Sequence, residues 1–256
     1  LAGRLEWKGG RGVLKGDLRK KQILETAERL FCEYGYEKTS VQDILDVLKL
    51  SKGSFYHHFE SKELVLRSIC DQRARAGAGT LLGNESLPDG AAGIDHVLSA
   101  MIPFHGEGLQ FVRMILPVFL LDEGRSVRFS YRESLCEAYL PALLDRMEVA
   151  AQSHVIFVTN PEDTARICLS LTNELWSRVS DAIIGSLSAG REIQMGPMIT
   201  LADAYRRAIE EILSAPFGSM QLIRMADLHS LCDTIRTQWT PAPSEGGEGQ
   251  EKEEKS

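Results

Sequence analysis

The sequence predicts an all-α protein in which a small N-terminal helix-turn-helix unit joins a larger helical domain. Three observations predict it. Apolar residues recur at helical spacing through most of the chain. Hydroxyl and amide residues stand where helices need capping. Sustained alternation with β-branched residues is missing, apart from a short run at His154–Thr159. The 256 residues, 43% hydrophobic and 25% charged, suit a small domain joined to a larger one, and that balance excludes collagen-like or wholly disordered chains.

Residues 1–16 are glycine-rich and aperiodic and read as a flexible basic arm. From Asp17 the pattern turns helical. Ile23, Ala27, Leu30, Phe31 and Tyr34 share one face, and Gly35 stops the helix. Thr39 and Ser40 offer caps for a second helix through Leu48, with Asp43 placed for a capping box and Val41, Ile44, Leu45 and Leu48 turned inward. Ser51 caps a third short helix through His58, and Ser61 a fourth running to about Gly77. These helices make a unit over residues 17–77.

A glycine-rich connection containing Pro88 follows. Beyond it helices are expected at roughly 90–105, 107–121, 125–153, 160–188, 197–214 and 219–237, within a second domain over residues 78–240. The best-marked start has Asn160 as cap, Pro161 at the first helical position, and Glu162 and Asp163 in the first turn. Pro103 and Pro117 are expected to kink or break their helices. Residues 241–256, with five glutamates, read as a disordered acidic tail.

Charge is divided unevenly. The net charge of −7 hides an N-terminal part, residues 1–75, with 15 Lys+Arg against 11 Asp+Glu, while the remainder has 14 against 25. A basic unit on an acidic body suits a polyanionic partner for that unit alone. Within it, residues 1–21 hold seven basic and two acidic side chains. That arm either tracks phosphates or is a solvated tail.

Several classes are excluded. The longest apolar run, Met114 to Leu121, is eight residues with Pro117 inside it, far short of the ~20 that cross a bilayer. No apolar segment follows the basic N-terminus, so no secretory signal is expected and the cytoplasm is the expected location. The five cysteines are widely spaced with no C-x-x-C pair, against a disulfide framework or zinc ribbon. His57 and His58 are adjacent and diverge on a helix, and His96, His105, His154 and His229 lie far apart, so no metal site or other cofactor is expected. No nucleophile elbow, P-loop or dinucleotide fingerprint occurs, so no catalytic residues are assigned and an enzyme is not expected. The pairs Glu210-Glu211 and Glu253-Glu254 read as solvated charge.

The informative stretch is Thr39 to Phe59, TSVQDILDVLKLSKGSFYHHF. Two short capped helices separated by about three residues make a helix-turn-helix. Ser51, Lys52, Gly53 and Ser54 open the second helix, and Tyr56 and His57 add groups that bond phosphate or a base edge. Phe55 and Phe59 are its inward anchors.

The run DLRKKQILETAERLFCEYGYEKTSVQDILDVLKLSKGSFYHHFESKELVL resembles the DNA-binding domain of TetR-family transcriptional regulators. Ile23-Leu24, Ala27, Leu30-Phe31, Gly35-Tyr36, Thr39-Ser40-Val41, Asp43-Ile44, the segment Ser51 to Phe59 and Ser61-Lys62-Glu63 carry the resemblance, over about a quarter of the chain. It implies a homodimeric repressor of a palindromic double-stranded DNA operator, released by a small-molecule effector. It also implies that Thr39 and Ser40 hold phosphate, that Ser51, Lys52, Gly53, Ser54, Tyr56 and His57 form the recognition surface, and that Lys62 contacts the DNA backbone. The chain departs from the family at Lys49, where glycine is usual, and at Leu45 and Leu48, where alanine is common. A lysine at a left-handed position costs on the order of 1 kcal/mol.

For an effector pocket the candidates are Met101, Phe104, His105, Phe111, Met114, Phe119, Met147 and Trp176, adaptable or aromatic residues that any helical core also uses. For dimerisation, Ile167, Leu171, Leu175, Val179 and Ile183 stripe one helix and Leu201, Tyr205, Ala208 and Ile212 another, and two such stripes from each of two copies make a four-helix interface; burial in the chain's own domain is the alternative. The competing reading is a helical small-molecule-binding protein that keeps the N-terminal unit only as structure.

Overall fold

The structure, a computed structural model, describes residues 10–103, 108–119 and 124–238. They form ten α-helices: α1 (Gly10–Tyr34), α2 (Val41–Leu48), α3 (Lys52–Tyr56), α4 (Lys62–Gly79), α5 (Gly90–Met101), α6 (Gly108–Val118), α7 (Gly124–Gln152), α8 (Pro161–Ser188), α9 (Met195–Ile212) and α10 (Met225–Gln238). No strand occurs among the described residues. The run at His154–Thr159 is instead an irregular link, held where the Phe157 N–H donates to the Leu213 carbonyl at 3.0 Å.

The predicted caps form. Ser40 caps α2 and closes a capping box with Asp43, while the Ser51, Ser61 and Asn160 side chains accept from Ser54, Leu64 and Asp163 N–H groups. Helix α1 starts at Gly10, inside the stretch 1–16 expected to be a flexible arm. The expectation weighed glycine content and the lack of periodicity, yet extending an existing helix is far easier than nucleating one, and residues 17–34 supply the nucleus. At the other end of the scale, α5 stops at Met101 rather than 105. Ile102 takes an extended ψ of 112° because Pro103 follows it.

The N-terminal unit closes on one core. Ile23, Ala27 and Phe31 from α1 are fully buried with Ile44 of α2, Phe55 of α3 and Val65 and Leu66 of α4. Each such large side chain stabilises by about 1.5–3 kcal/mol through removal from water. In the larger domain α7 is central and packs on α4, α5 and α8, with α9 outside α8. Phe111, Tyr131, Trp176 and Phe119 form a chain of ring contacts with centroids 5.5–6.3 Å apart.

Helix α10 starts six residues later than position 219, because two carboxylates hold the preceding segment in a loop. Glu210 accepts from the N–H groups of Gly218 (3.2 Å) and Met220 (3.0 Å) and pairs with Arg206 at 2.5 Å. Asp95 of α5 accepts from the N–H groups of Gln221 and Leu222 at 2.9 and 2.8 Å. Glu210 is therefore buried, correcting its reading as solvated; Glu253-Glu254 and the tail over 241–256 lie outside the described residues.

The stripe on α8 is also corrected. Leu175, Val179 and Ile183 are fully buried in the chain's own core, whereas Ile167 is exposed and Leu171 partly so. A strict i+4 series advances about 40° per step around a 3.6-residue helix, so its two ends face different neighbours. On α9, Ala208 and Ile212 are exposed, and Leu201 and Tyr205 are half-buried.

Candidate nucleic-acid interface

Helix α2 ends at Lys49, whose φ of 52° and ψ of 47° are left-handed. Its N–H bonds back to the Leu45 carbonyl, as does the Leu50 N–H at 3.0 Å, and this double closure reverses the chain toward α3. The residue that departs from glycine thus sits in the conformation glycine serves best.

Helix α3 is anchored by its aromatic face. Phe55 and Phe59 are buried with ring centroids 6.1 Å apart, and Lys20 of α1 lies 5.6 Å from the Phe59 ring. That burial turns the rest of the helix outward. Ser51, Lys52, Gly53, Tyr56 and His57 are exposed on one continuous surface, and Ser54 is half-buried beside them. Among the described residues neither Lys52 nor Lys49 has an ion-pair partner, so both ammonium groups face solvent uncommitted. A Cβ at Gly53 would meet nothing within 4 Å, so the fold does not demand glycine there. The surface is basic, wide and rich in donors, which fits phosphates and base edges.

Three residues assigned to DNA by resemblance have partners inside the protein. Thr39 is buried, and its hydroxyl donates to the Gly35 carbonyl at 2.8 Å, satisfying the end of α1 rather than a phosphate. Ser40 is exposed, but its hydroxyl is shared between the Asp43 N–H and carboxylate. Bonds from the Ser40 backbone and hydroxyl hold the Asp43 carboxyl below its usual range. Lys62 donates to the carbonyls of Tyr36 (2.8 Å) and Thr39 (2.9 Å), with its ammonium 4.2 Å from the Tyr36 ring. It clamps α4 to the α1–α2 turn.

Tyr36, part of the motif but given no role by it, and Lys20, which the motif left out, are supporting residues. The signal for Tyr36 was its place after Gly35, where an aromatic ring folds back on Phe31, 5.1 Å away. His58 turns toward α1, within 4.0 Å of where a Cβ on Gly16 would stand. Burial, then His57, Lys20 and Arg19, push its pKa down against a smaller opposing effect of Asp17.

In the larger domain, Met101, Phe111, Met114 and Met147 are packed core residues, while Phe104 and His105 lie outside the described residues. Phe119 and Trp176 are brought together between α7 and α8, where they meet Arg128, Arg132, Ser177 and Ser180. A search for apolar candidates passes over those four, although Arg128 and Arg132 are spaced to share one face of α7. No group of three or more His, Cys, Asp or Glu able to hold a metal ion occurs among the described residues, and no helix there is long and apolar enough to cross a membrane. All five cysteines are free, and burial raises each thiol pKa, that of Cys168 to about 12.

Residues 23–69 match the family described as bacterial regulatory proteins, tetR family. A segment of 51 residues is 51% identical to an uncharacterized HTH-type transcriptional regulator, YuxN, of Bacillus subtilis, covering 20% of this chain and 18% of that protein. Another of 51 residues is 43% identical to the HTH-type transcriptional repressor KstR2 of Rhodococcus jostii, covering 20% and 25%. The aligned part therefore spans a quarter or less of these relatives. A TetR-family regulator from Pectobacterium atrosepticum has a similar fold over most of both chains, with a TM-score of 0.60, 18% identity, and coverage of 81% of this chain and 99% of that one.

Proposed function

We propose that this chain, whose residues 23–69 match the tetR family of bacterial regulatory proteins, is a repressor that binds a palindromic DNA operator as a homodimer. In this reading a small molecule in the larger domain releases it. The observation that carries the reading is the α3 surface. Ser51, Lys52, Gly53, Tyr56 and His57 project from a helix fixed by buried Phe55 and Phe59, inside the segment that matches the family. Thr39 and Lys62 act one step back, holding α2 and α4 in the positions that present this surface.

Two copies place two such surfaces on one side of a duplex, so the two half-sites lie about one helical turn, or a multiple of it, apart. Of the two stripes, Ile167 of α8 and Ala208 and Ile212 of α9 are the exposed members available to the second copy. An effector that binds the released form better by ~1–3 kcal/mol shifts occupancy by the corresponding 5–150-fold.

The test is selection from a pool of random duplexes at near-physiological salt. Recovery of a palindrome supports the reading, and Lys52→Ala with Tyr56→Ala should then weaken binding at least ~100-fold. Wild-type affinity in that double variant would refute α3 as the recognition element. Absence of any selected site with folded, dimeric protein would favour a ligand-binding protein without DNA.

A further inference from the structure

Helix α1 runs well past the core that anchors it. Ile23 and Leu24 are its first buried residues among those described, and Gly16 to Gln22 are all half-buried or exposed. From Ile23 back to its start at Gly10 the helix extends about 20 Å. Helix that reaches water on every described side chain is marginal, and Gly10, Gly12 and Gly16 weaken it further. Its charge adds to the conflict. This stretch holds Arg11, Lys15, Arg19, Lys20 and Lys21 against Asp17 alone, and the first turn of α1 has no acidic residue. Basic groups near a helix N-terminus oppose its macrodipole, whereas an anion arriving there is attracted by both.

The same stretch lies against α3. A Cβ on Gly16 would stand 4.0 Å from the His58 ring, and the Lys20 ammonium is 5.6 Å from the centroid of Phe59. Followed outward from the core, α1 therefore passes Phe59, then His58, and continues six residues farther to Gly10. His58 in turn adjoins the exposed α3 surface, its ring 5.1 Å from that of His57. Among the described residues Lys20 has no ion-pair partner, and Arg19 donates to the neutral Gln22 side chain at 3.0 Å without a carboxylate. Lys21 differs, pairing with Glu25 at 3.7 Å. The local field is positive: after burial, it is His57, Lys20 and Arg19 that hold the His58 pKa down, against Asp17.

Resting on the operator reading above, we propose that the projecting part of α1 is a second DNA contact, in which Arg19 and Lys20 hold the sugar-phosphate backbone bordering the groove that α3 enters. The dimensions agree. A major groove is about 12 Å wide, so its phosphate strands run roughly 6 Å to either side of a helix lying along its middle. A second helix packed on the first stands about 8–10 Å away, over that edge, and the long Lys and Arg stems span the remaining gap. Phosphate contacts fix position and carry no sequence information. The α1 contact therefore adds affinity and salt dependence, while the choice of site stays with α3.

Fluorescence anisotropy of the full chain on its selected duplex, repeated over a range of salt concentrations, tests the proposal with Arg19→Gln and Lys20→Gln combined. Both changes put a polar, helix-compatible side chain at a position open to water, so folding should be unaffected. The log–log salt slope should become shallower by about 1.8, two contacts at about 0.9 each, and affinity at about 0.15 M salt should fall about 30-fold. The order of preference among duplex sequences should match that of wild type. Neutral methylphosphonate linkages, placed one at a time along the duplex, locate the contact. At least one position should weaken wild type by about fivefold and leave the double variant unchanged, a coupling that a merely structural change does not produce. A wild-type slope in the double variant, or no coupled position, would overturn the proposal. If Lys52→Ala with Tyr56→Ala loses the duplex while Arg19→Gln with Lys20→Gln binds it like wild type, the α1 contact falls and the regulator reading stands. If wild-type protein selects no duplex, the regulator reading falls and takes the α1 contact with it.

Discussion

Replacing Lys62 by methionine keeps most of the aliphatic stem and removes the ammonium that joins α4 to the α1–α2 turn. Two charge-assisted bonds, 2.8 and 2.9 Å long, and the contact with the Tyr36 ring are lost together. Removing one partner of such a bond costs about 1.5–3 kcal/mol, and an exposed cation–ring contact is worth about 0.5–1 kcal/mol. Against that, water reaches part of the half-buried site and resolvates the two carbonyls, and the order imposed on the lysine chain is relieved by up to about 2 kcal/mol. The net loss is about 2 kcal/mol. For a urea m-value of about 2 kcal/mol/M the unfolding midpoint should fall by about 1 M, read by far-UV circular dichroism. A phosphate contact predicts something different: an unchanged midpoint, and a salt dependence of DNA binding shallower by about 0.9 in log–log slope. That second outcome would refute the clamp.

Lys49→Gly should raise stability by about 0.5–1 kcal/mol, since it relieves a left-handed lysine at φ 52°, and thermal unfolding would register it as a higher Tm. Gly77→Ala places a Cβ 2.5 Å from the Tyr139 hydroxyl oxygen, which donates to the Ala100 carbonyl at 3.0 Å. It should destabilise by about 1–3 kcal/mol, with partial rescue by Tyr139→Phe in a double-mutant cycle, because the remaining ring carbon lies at an ordinary 3.5 Å. Glu210→Ala leaves two loop N–H groups without their acceptor and Arg206 with Asp203 alone; a loss of about 3 kcal/mol and early proteolysis at residues 216–224 are expected. Asp43→Asn should remove a pH dependence confined to acid. A carboxyl with a lowered folded pKa stabilises α2 above its unfolded value and loses that contribution as pH falls through the folded one, which circular dichroism between pH 5 and pH 2 would follow.

The elements legible in the sequence were those with local causes. Ser40 and Asp43 cap each other three residues apart, Asn160 and Pro161 open α8, and Gly35 ends α1, each within one turn of chain. The inward turn of Phe55 and Phe59 followed from spacing as well, and with it the outward face of α3. What escaped depended on distant partners. Glu210 looks like any surface glutamate until the loop at 216–220 folds over it. Nothing near Lys62 in the sequence announces carbonyls 23 and 26 residues away. The stripe on α8 failed through geometry, since i+4 spacing does not hold one face. Arg128 and Arg132, beside Phe119 and Trp176, were hidden by a search for apolar residues, whereas that corner combines aromatic rings with charge.

Helix α4 begins at the clamp beside α3 and ends against Tyr139, so a single rigid rod of 18 residues belongs to both parts of the chain. At 1.5 Å per residue it is a lever about 27 Å long. Tilting it by about 5° at the far end swings the near end by about 2 Å, and two opposed levers in the proposed dimer change the gap between recognition surfaces by about 4 Å. That exceeds the ~3.4 Å step between base pairs, enough to put one surface out of register with its half-site. Amplification of this kind needs no unfolding and little rearrangement in the larger domain, only a stiff arm and a fulcrum packed well enough not to give.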